Sequence, residues 1–312
     1  MKLLLLGANG QVGWELQRSL APLGQLVICD RHTADLTDLP ALSALIETQQ
    51  PDVIVNAAAY TAVDKAEQEV DDAFLINAEA VGLLAVKAAQ LGSFLVHYST
   101  DYVFDGTKLA AYHESDAVNP QSVYGRSKLK GEHLIAASCC NHLIFRTSWV
   151  FARRGDNFAK TMLKLAAERN SLQVVADQRG APTSAEMIAD ITALCLHKVI
   201  QLNKESLLPD RVLQGLSGIY HLAASGETSW HGYAQYLIAR ASSLGFACRV
   251  DVDHIQPVST ENFPRPAARP ANSVMNTSKL RSTFDITLPD WRCYVDRLVD
   301  ELLPEIGSLA DV

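Results

Sequence analysis

Short apolar runs and helical apolar faces alternate along the first half of the chain. Residues 3–6 are four consecutive leucines, a pattern typical of a parallel strand buried on both faces. Val12, Leu16 and Leu20 follow at intervals of four, which predicts one apolar face of a helix. Residues 26–29 form a second apolar run. The first thirty residues therefore predict a strand, a helix and another strand.

The same alternation continues to about residue 150. The sequence next predicts a helix near 40–49, a strand at 52–56, helices across 62–91, a strand at 93–98, a helix from about 122 and a strand at 142–146. Repeated strand–helix units predict an α/β fold with a doubly wound parallel sheet of the Rossmann type. Ligands of such a sheet bind at the carboxyl ends of its strands.

Beyond residue 150 the alternation loosens. The pattern predicts helices at 158–167 and 184–198 with a loop at 178–183 between them, a strand at 218–222 and a last helix from about 289. We therefore expect a dinucleotide-binding domain at 1–150 and a smaller C-terminal substrate-binding domain made mainly of 151–312, with segments near 184–222 rejoining the first. An irregular lid over the cleft is expected where prolines and arginines interleave, at Pro257, Pro264, Arg265, Pro266, Arg269 and Pro270.

Composition and charge narrow the classes of partner. A chain of 312 residues with a net charge of −8 and 48% hydrophobic residues is an ordinary globular protein without a basic surface for nucleic acid or an anionic membrane. Six cysteines without Cys-x-x-Cys spacing indicate reduced thiols in a cytoplasmic protein. The apolar run after Met1 stops at Gly7, too early for a signal peptide or a membrane span.

Gly7, Gly10 and Gly13 stand between the first predicted strand and helix. Such glycines permit a sharp turn, close approach of a pyrophosphate and tight packing of helix against strand, although a simple turn is an alternative. Asp30 ends the second predicted strand, twenty residues after Gly10, where a carboxylate binds the adenosine ribose hydroxyls. Arg31 could accommodate the 2′-phosphate of NADPH, so the choice between NADPH and NADH stays open.

Tyr124 and Lys128 are four residues apart at the start of a predicted helix, so they share one face of it. A cation ~4 Å from a phenol at an effective dielectric of ~20 stabilises the phenolate by ~4 kcal/mol, about three pKa units. The phenol could then exchange a proton near neutral pH. Thr100 follows the strand at 93–98 and is expected to face this pair across the cleft, holding a substrate oxygen.

Taken together, these motifs resemble the extended short-chain dehydrogenase/reductase family, and within it the reductases of dTDP-linked 4-keto-6-deoxy sugars. The segments that carry the resemblance are 7–16 (GANGQVGWEL), 55–67 (VNAAAYTAVDKAE), 99–106 (STDYVFDG), 123–129 (VYGRSKL), 146–150 (RTSWV), 180–183 (GAPT) and 269–273 (RPANS). The resemblance implies hydride transfer from NADPH or NADH to C4 of dTDP-4-dehydro-6-deoxy-L-mannose. The product, dTDP-L-rhamnose, is a precursor of cell-surface polysaccharide.

The resemblance also implies roles for individual residues. Tyr124 would protonate the incipient alkoxide, Lys128 would lower the tyrosine pKa and bind the nicotinamide ribose, and Thr100 would hydrogen-bond the carbonyl. The other implied cofactor contacts are Gly7, Gly10, Gln11, Val12, Gly13, Asp30, Asp35, Leu36, Ala59, Tyr60, Thr61 and Tyr98. Asp101 and Trp149 match substrate contacts. We add Arg269 for the diphosphate, because a net-negative protein must concentrate cations where it binds an anion.

One departure from the family concerns a metal. Some such reductases have Mg²⁺ held by glutamates near a homodimer interface, and Glu15 and Glu186 match two of those positions. This chain has Arg292 where a third carboxylate would stand. A hard dication requires several oxygen ligands, so the replacement weakens the case for the metal and for a homodimer built around it.

Three alternatives use the same fold. A sugar-nucleotide dehydratase needs Asp-Glu after the threonine, whereas Tyr102 follows Asp101 here. An epimerase could use the same scaffold, but the closeness of these segments to the reductase pattern argues against it. A non-catalytic nucleotide-binding regulatory subunit would not need Thr100, Tyr124 and Lys128 together, so their presence favours an enzyme.

Overall fold

The computed structural model describes residues 1–205 and 209–307. Its strands are β1 Lys2–Leu6, β2 Gln25–Cys29, β3 Val53–Asn56, β4 Phe94–Thr100, β5 His142–Thr147, β6 Val150–Phe151, β7 Leu172–Val175, β8 Arg179–Gly180, β9 Thr183–Ser184, β10 Gly218–His221, β11 Thr228–Ser229 and β12 Ile255–Val258. Its helices are α1 Gln11–Leu20, α2 Leu39–Gln49, α3 Val63–Ala66, α4 Val70–Phe74, α5 Ala80–Leu91, α6 Val123–Ala137, α7 Phe158–Glu168, α8 Ala185–Glu205, α9 Pro209–Leu216, α10 Trp230–Ser243, α11 Ser278–Phe284 and α12 Trp291–Gly307.

Six strands form one parallel sheet in the order β10-β5-β4-β3-β1-β2. The order reverses direction at β1, because β2 lies on one side of it and β3 on the other. Helices cover both faces, so the doubly wound Rossmann architecture predicted from the alternation is confirmed. β4 runs through Thr100, two residues further than the sequence pattern indicated.

The four leucines of β1 show why this strand has no polar position. Leu3 and Leu5 belong to a core cluster that includes residues of α1 and α8, whereas Leu4 and Leu6 belong to a second cluster with Leu42 of α2. All four leucine side chains are fully buried. Successive strand residues point to opposite faces, so a strand between two helical layers must be apolar throughout.

The chain after β5 is built from short strand pairs and helices. β6 pairs with β9, β11 with β8, and β12 with β7. The stretch 178–183, predicted to be a loop, therefore contains β8 and the start of β9, and the sequence analysis was wrong there. β10 returns to the main sheet beside β5 in parallel register. The boundaries of the two expected domains stay a prediction.

One helical stretch, Val70–Leu91, is long and apolar enough to cross a membrane by length and composition alone. It combines α4, a π-helical turn at Leu75–Glu79, and α5. The buried residues of α5, including Val81 and Leu84, pack in the same core cluster as Leu4 and Ile54 of the sheet. A core helix passes the same composition test, so the finding is weak evidence for a membrane span.

Candidate active site

The predicted functional residues gather at the carboxyl edge of the sheet. Gly7 follows β1, Asp30 follows β2, and Thr100 is the last residue of β4. Tyr124 and Lys128 lie in the first turns of α6, whose N-cap Ser122 accepts a hydrogen bond from the Gly125 amide at 3.1 Å. The fold thus brings residues as far apart in sequence as Gly7 and Lys128 to the same edge of the sheet.

The glycine-rich turn between β1 and α1 has the geometry of an anion site. Gly10 is the N-cap of α1 and no side chain caps the helix, so its first amides are available to a ligand. Gly7 has φ +79°, and a Cβ there would lie 2.5 Å from the Ala58 amide nitrogen. A Cβ on Gly13 would lie 2.0 Å from the carbonyl oxygen of Gly7. These contacts fit the pyrophosphate turn of a dinucleotide-binding fold.

The carboxylate of Asp30 is held by its own turn. One oxygen accepts the backbone amides of His32 and Thr33 at 3.0 and 3.1 Å, and the other accepts from the Asn9 side chain at 3.0 Å. The backbone and hydroxyl bonds from Thr33 lower the pKa of the Asp30 carboxyl. Arg31 is exposed and lies 3.8 Å from Asp35.

The remaining predicted cofactor residues differ in what their side chains can offer. Leu36 is buried in the core, so a contact there would come from its backbone, while Asp35 accepts from the amide and hydroxyl of Thr37. Val12 packs against the core, and Gln11 accepts from Asn157 at 3.2 Å.

The loop after β3 holds the next three predicted cofactor residues, and Asn77 fixes its shape. The side chain of Asn77, buried in the π-helical turn, accepts from the Tyr60 amide at 2.9 Å and donates to the Tyr60 carbonyl at 3.0 Å. It also donates to Ser127 of α6 at 3.0 Å. Ala59 is half-buried, Thr61 is exposed, and the Tyr60 hydroxyl donates to Glu69. Sequence reasoning missed Asn77, which lies in an otherwise ordinary helix.

Tyr124 is half-buried, and its phenol shares a hydrogen bond with Thr100. Burial raises the pKa of Tyr124 to about 12, outweighing the lowering effect of the Thr100 bond. The expectation that Lys128 brings this pKa towards neutrality is wrong for the free chain. The phenol is therefore fully protonated at neutral pH.

The buried side chain of Lys128 reaches the end of β4. Its Nζ donates to the carbonyl oxygen of Tyr98 at 2.6 Å and lies 3.2 Å from Nε2 of His97. Burial lowers the pKa of Lys128 to about 8. The Tyr98 ring lies in the core and its hydroxyl is 2.8 Å from Thr192, so only the Tyr98 carbonyl faces the site.

One helical turn after Lys128, a buried ion pair between Glu132 and Arg146 joins α6 to β5. Arg146 donates to the two carboxylate oxygens of Glu132 at 2.9 and 2.6 Å, and Ser99 donates to Glu132 at 2.5 Å. Both charged side chains are at most 3% exposed. Sequence reasoning missed this pair, although Glu132 lies one helical turn after Lys128.

Asp101 connects the end of β4 to the segment near residue 273. One carboxylate oxygen accepts from the Thr100 hydroxyl at 3.0 Å, while the other has no hydrogen-bond partner. Burial raises the pKa of Asp101 to about 6, against the lowering effect of the neighbouring Ser273 and Thr100 hydroxyls. The bond to Asp101 therefore orients the Thr100 hydroxyl in the chain without ligand.

Trp149 adopts φ +49°, an uncommon conformation for a bulky residue. Its indole stacks on Trp230 with ring centroids 3.7 Å apart, and a Cβ on Gly180 would lie 2.6 Å from it. Trp230 in turn donates to Gln178 at 3.1 Å. Trp149 is thus held as a rigid aromatic wall, which suits a sugar or base contact.

Arg269 lies on the proline-rich segment and pairs with Asp64, at 2.8 Å between Nη2 and Oδ2. Asp64 also accepts from the Ala267 amide at 3.2 Å. The segment is therefore attached to the helix that follows the cofactor loop. The Arg269 side chain is 20% exposed, and its guanidinium also donates to the Ala267 carbonyl at 2.8 Å.

The two predicted metal ligands lie close together but are surrounded by cations. Glu186 is 2.9 Å from Arg297 and 3.9 Å from Arg18, and Arg18 is 3.9 Å from Glu15. Arg292 pairs instead with Asp290 at 3.2 Å. Among the described residues, no three His, Cys, Asp or Glu side chains form a metal-binding group. A third carboxylate is present, because Glu301 lines the same cleft as Glu15 and Glu186. Burial and the Glu301 charge raise the pKa of both glutamates. Arg297 pairs with Glu186 at 2.9 Å and with Glu301 at 3.2 Å, so a Mg²⁺ ion could bind these carboxylates only if Arg297 moved aside.

Comparison with known proteins agrees with this geometry. Residues 1–303 match the family described as RmlD substrate binding domain. The dTDP-4-dehydrorhamnose reductases of Burkholderia thailandensis and Salmonella typhimurium are 48% and 46% identical, over 98% and 97% of this chain and 100% and 98% of theirs. The crystal structure of dTDP-4-dehydrorhamnose reductase from Bacillus anthracis in complex with NADP is 34% identical, with a TM-score of 0.82, and the match covers 96% of this chain and 99% of that one. The resemblance drawn from the motifs is confirmed, and the chain belongs to the RmlD substrate binding domain family of extended short-chain dehydrogenases/reductases.

Proposed function

We propose that this chain is a dTDP-4-dehydrorhamnose reductase, an oxidoreductase that reduces C4 of dTDP-4-dehydro-β-L-rhamnose to give dTDP-L-rhamnose. The observation that carries the proposal is the meeting of Thr100, Tyr124 and Lys128 beside the glycine-rich turn. It is supported by relatives of that name that align over almost their whole length.

The bound NADPH or NADH supplies a hydride to the C4 carbon. Tyr124, whose raised pKa keeps the phenol protonated, donates its proton to the C4 oxygen as the carbonyl becomes an alcohol. Thr100 turns its hydroxyl from Asp101 towards the same oxygen. Lys128 binds the nicotinamide ribose and, in its ammonium form, stabilises the tyrosinate that remains.

Three further residues form the substrate side of the site. Arg269 contacts the diphosphate by exchanging part of its bond to Asp64 for the ligand. Trp149 offers a flat face to the sugar or the base, and Asp101 accepts the Thr100 hydroxyl until the substrate binds. The cofactor side of the site is formed by Gly7, Gly10, Gln11, Val12, Gly13, Asp30, Asp35, Leu36, Ala59, Tyr60, Thr61 and Tyr98. Of these, Leu36 and Tyr98 act through their backbones.

Partner and location follow from chemistry already described. The six cysteines are all free thiols, which fits the reducing cytoplasm where nucleotide sugars are made. A homodimer through the face that carries Glu15 and Glu186 stays a prediction, since the ion pairs of that face lie within one chain.

The test is loss of reduced-nicotinamide absorbance with dTDP-4-keto-6-deoxy-L-mannose. The D-gluco epimer is run beside it, and NADH and NADPH are compared in parallel. Turnover of the L-manno substrate alone supports the proposal and reveals the cofactor preference. Oxidation with neither sugar, while cofactor binds, would favour the non-catalytic subunit.

A further inference from the structure

A buried polar chain runs from β3 through β4 to Lys128. The Asn56 Nδ2 atom lies 3.2 Å from Nδ1 of His97, and Nε2 of the same imidazole lies 3.2 Å from Nζ of Lys128. All three residues are 1% exposed. Each hydrogen in this chain therefore needs a protein acceptor.

A backbone N–H group fixes the direction of the hydrogen bonds between Asn56, His97 and Lys128. The Ala58 amide donates to Oδ1 of Asn56 at 3.1 Å, and a backbone N–H can only donate. The oxygen of the Asn56 amide must therefore face Ala58, and its NH₂ group must face His97. Because NH₂ also only donates, Nδ1 of His97 must accept, and a neutral imidazole then carries its hydrogen on Nε2.

An Nε2–H group aimed at Lys128 needs an acceptor, which an ammonium lacks and a neutral amine provides. We propose that His97, held in its Nε2–H form by Asn56, is a positioning residue for Lys128 that favours the amine over the ammonium. The amine can accept from His97 while still donating to the Tyr98 carbonyl.

Other groups around Lys128 oppose or support this preference. Burial acts in the same direction as His97, and the charge of Glu132 acts against both. The Glu132 charge is itself paired with Arg146 at 2.6 Å and bonded by Ser99. Burial keeps the pKa of His97 well below its usual value, and the positive charge of Lys128 lowers it further when the ammonium is present. The imidazole is therefore neutral with either form of Lys128.

The consequence, which rests on the proposed function, is that Lys128 titrates close to physiological pH. A lysine near its titration midpoint can release and regain a proton in each cycle, whereas an ordinary lysine holds it. Asn56 and His97 touch neither substrate nor the reacting atoms, and act through Lys128.

The first test is the tautomer of His97 in the ligand-free protein, measured from its imidazole ¹⁵N shifts near pH 7. The Nε2–H pattern supports the proposal, and the Nδ1–H or doubly protonated pattern overturns it. Asn56→Asp replaces the NH₂ group by an acceptor, so the same spectrum should switch to the Nδ1–H pattern. No switch in a folded variant would also overturn it.

The second test follows the ¹³Cε shift of Lys128 against pH, assigned with Lys128→Met. His97→Phe keeps the ring and removes both nitrogens, so the midpoint should rise by about one pH unit, the effect of one buried hydrogen bond. An unchanged or lower midpoint would overturn the proposal, and His142→Phe is the matched control for loss of a strand histidine. Neither measurement needs turnover, so failure here is distinct from failure of the proposed reaction.

Discussion

The side-chain nitrogen of Lys128 lies 2.6 Å from the carbonyl oxygen of Tyr98, and this bond directs the lysine into the sheet. Tyr124, one turn earlier on the same face of α6, instead shares a hydrogen bond with Thr100. Two residues four positions apart on one helix can thus serve the same reaction, although one is held by the Tyr98 carbonyl and the other by the Thr100 hydroxyl at the end of β4. The phenol stays a proton donor because burial raises its pKa to about 12.

Removing that phenol should stop the reaction without removing the cofactor. We expect Tyr124→Phe to bind reduced cofactor as the wild type does and to lose at least ~10²-fold in kcat, the low end of general acid catalysis. Tyr102→Phe is the control, because Tyr102 packs edge-on against Tyr124 at 5.5 Å. Near wild-type turnover of Tyr124→Phe would mean that another group supplies the proton.

Arg269 should matter for the nucleotide sugar and not for the cofactor. Its guanidinium pairs with Asp64 in the free chain, and we expect Arg269→Ala to raise KM for the dTDP-sugar at least ~10-fold, as loss of a charge-assisted bond would. Arg265→Ala is the matched control, since Arg265 lies over the exposed ring of Phe263. Equal KM values for both variants would remove Arg269 from the site.

Asp101 should make stability depend on pH in an unusual direction. Its pKa is raised from 3.8 to about 6, so between those values the folded chain holds a proton that the unfolded chain has lost. Stability from this group therefore falls as pH rises through the window, by about 3 kcal/mol in all. Asp101→Asn lacks the effect, and its stability relative to wild type should rise from pH 4 to pH 7 in urea unfolding. A pH-independent difference would contradict this.

The aromatic wall at Trp149 should be sensitive to one added methyl group. Gly180→Ala would place a Cβ 2.6 Å from the indole, displacing it and destabilising the fold by about 1–3 kcal/mol. KM for the sugar should rise while cofactor affinity stays unchanged, measured by steady-state kinetics and fluorescence titration. Gly215→Ala on α9 has open space around it and should stabilise by about 0.5–1 kcal/mol. If Gly180→Ala keeps the wild-type KM for the sugar, as Gly215→Ala should, then Trp149 does not contact the substrate.

Metal removal should have no effect. Arg297 and Arg18 already neutralise Glu186, so we expect kcat and Tm to be equal in EDTA and in millimolar Mg²⁺. Activity lost in EDTA and restored by Mg²⁺ would show that the arginines move aside for an ion.

The sequence was sufficient for the parts of the site that depend on local pattern. The leucines of β1 and the glycines after them predict a strand and a turn because both signals lie within a dozen residues. Tyr124 and Lys128 were placed on one helix face by spacing alone. Thr100 was expected just after the apolar run at 93–98, and the structure makes it the last residue of β4.

The missing parts depend on contacts between distant segments. His97 and Asn56 lie in buried strands, where a lone polar residue gives no periodic signal, and only the parallel register of β3 and β4 places them side by side. Only the fold likewise brings Trp149 onto Trp230, 81 positions later, and Arg269 onto Asp64. Spacing also could not show that desolvation outweighs the lysine charge at Tyr124, because burial is a property of the whole fold.

The place of β10 in the sheet has a consequence for synthesis of the chain. β10 pairs with β5 although some seventy residues separate them, and strand pairing over such distances closes slowly. Until residue 221 leaves the ribosome, the backbone N–H and C=O groups of Leu143, Ile144 and Phe145 have no partner strand on one edge of β5. Nascent or truncated chains that end before β10 are therefore the forms most prone to aggregate through that edge.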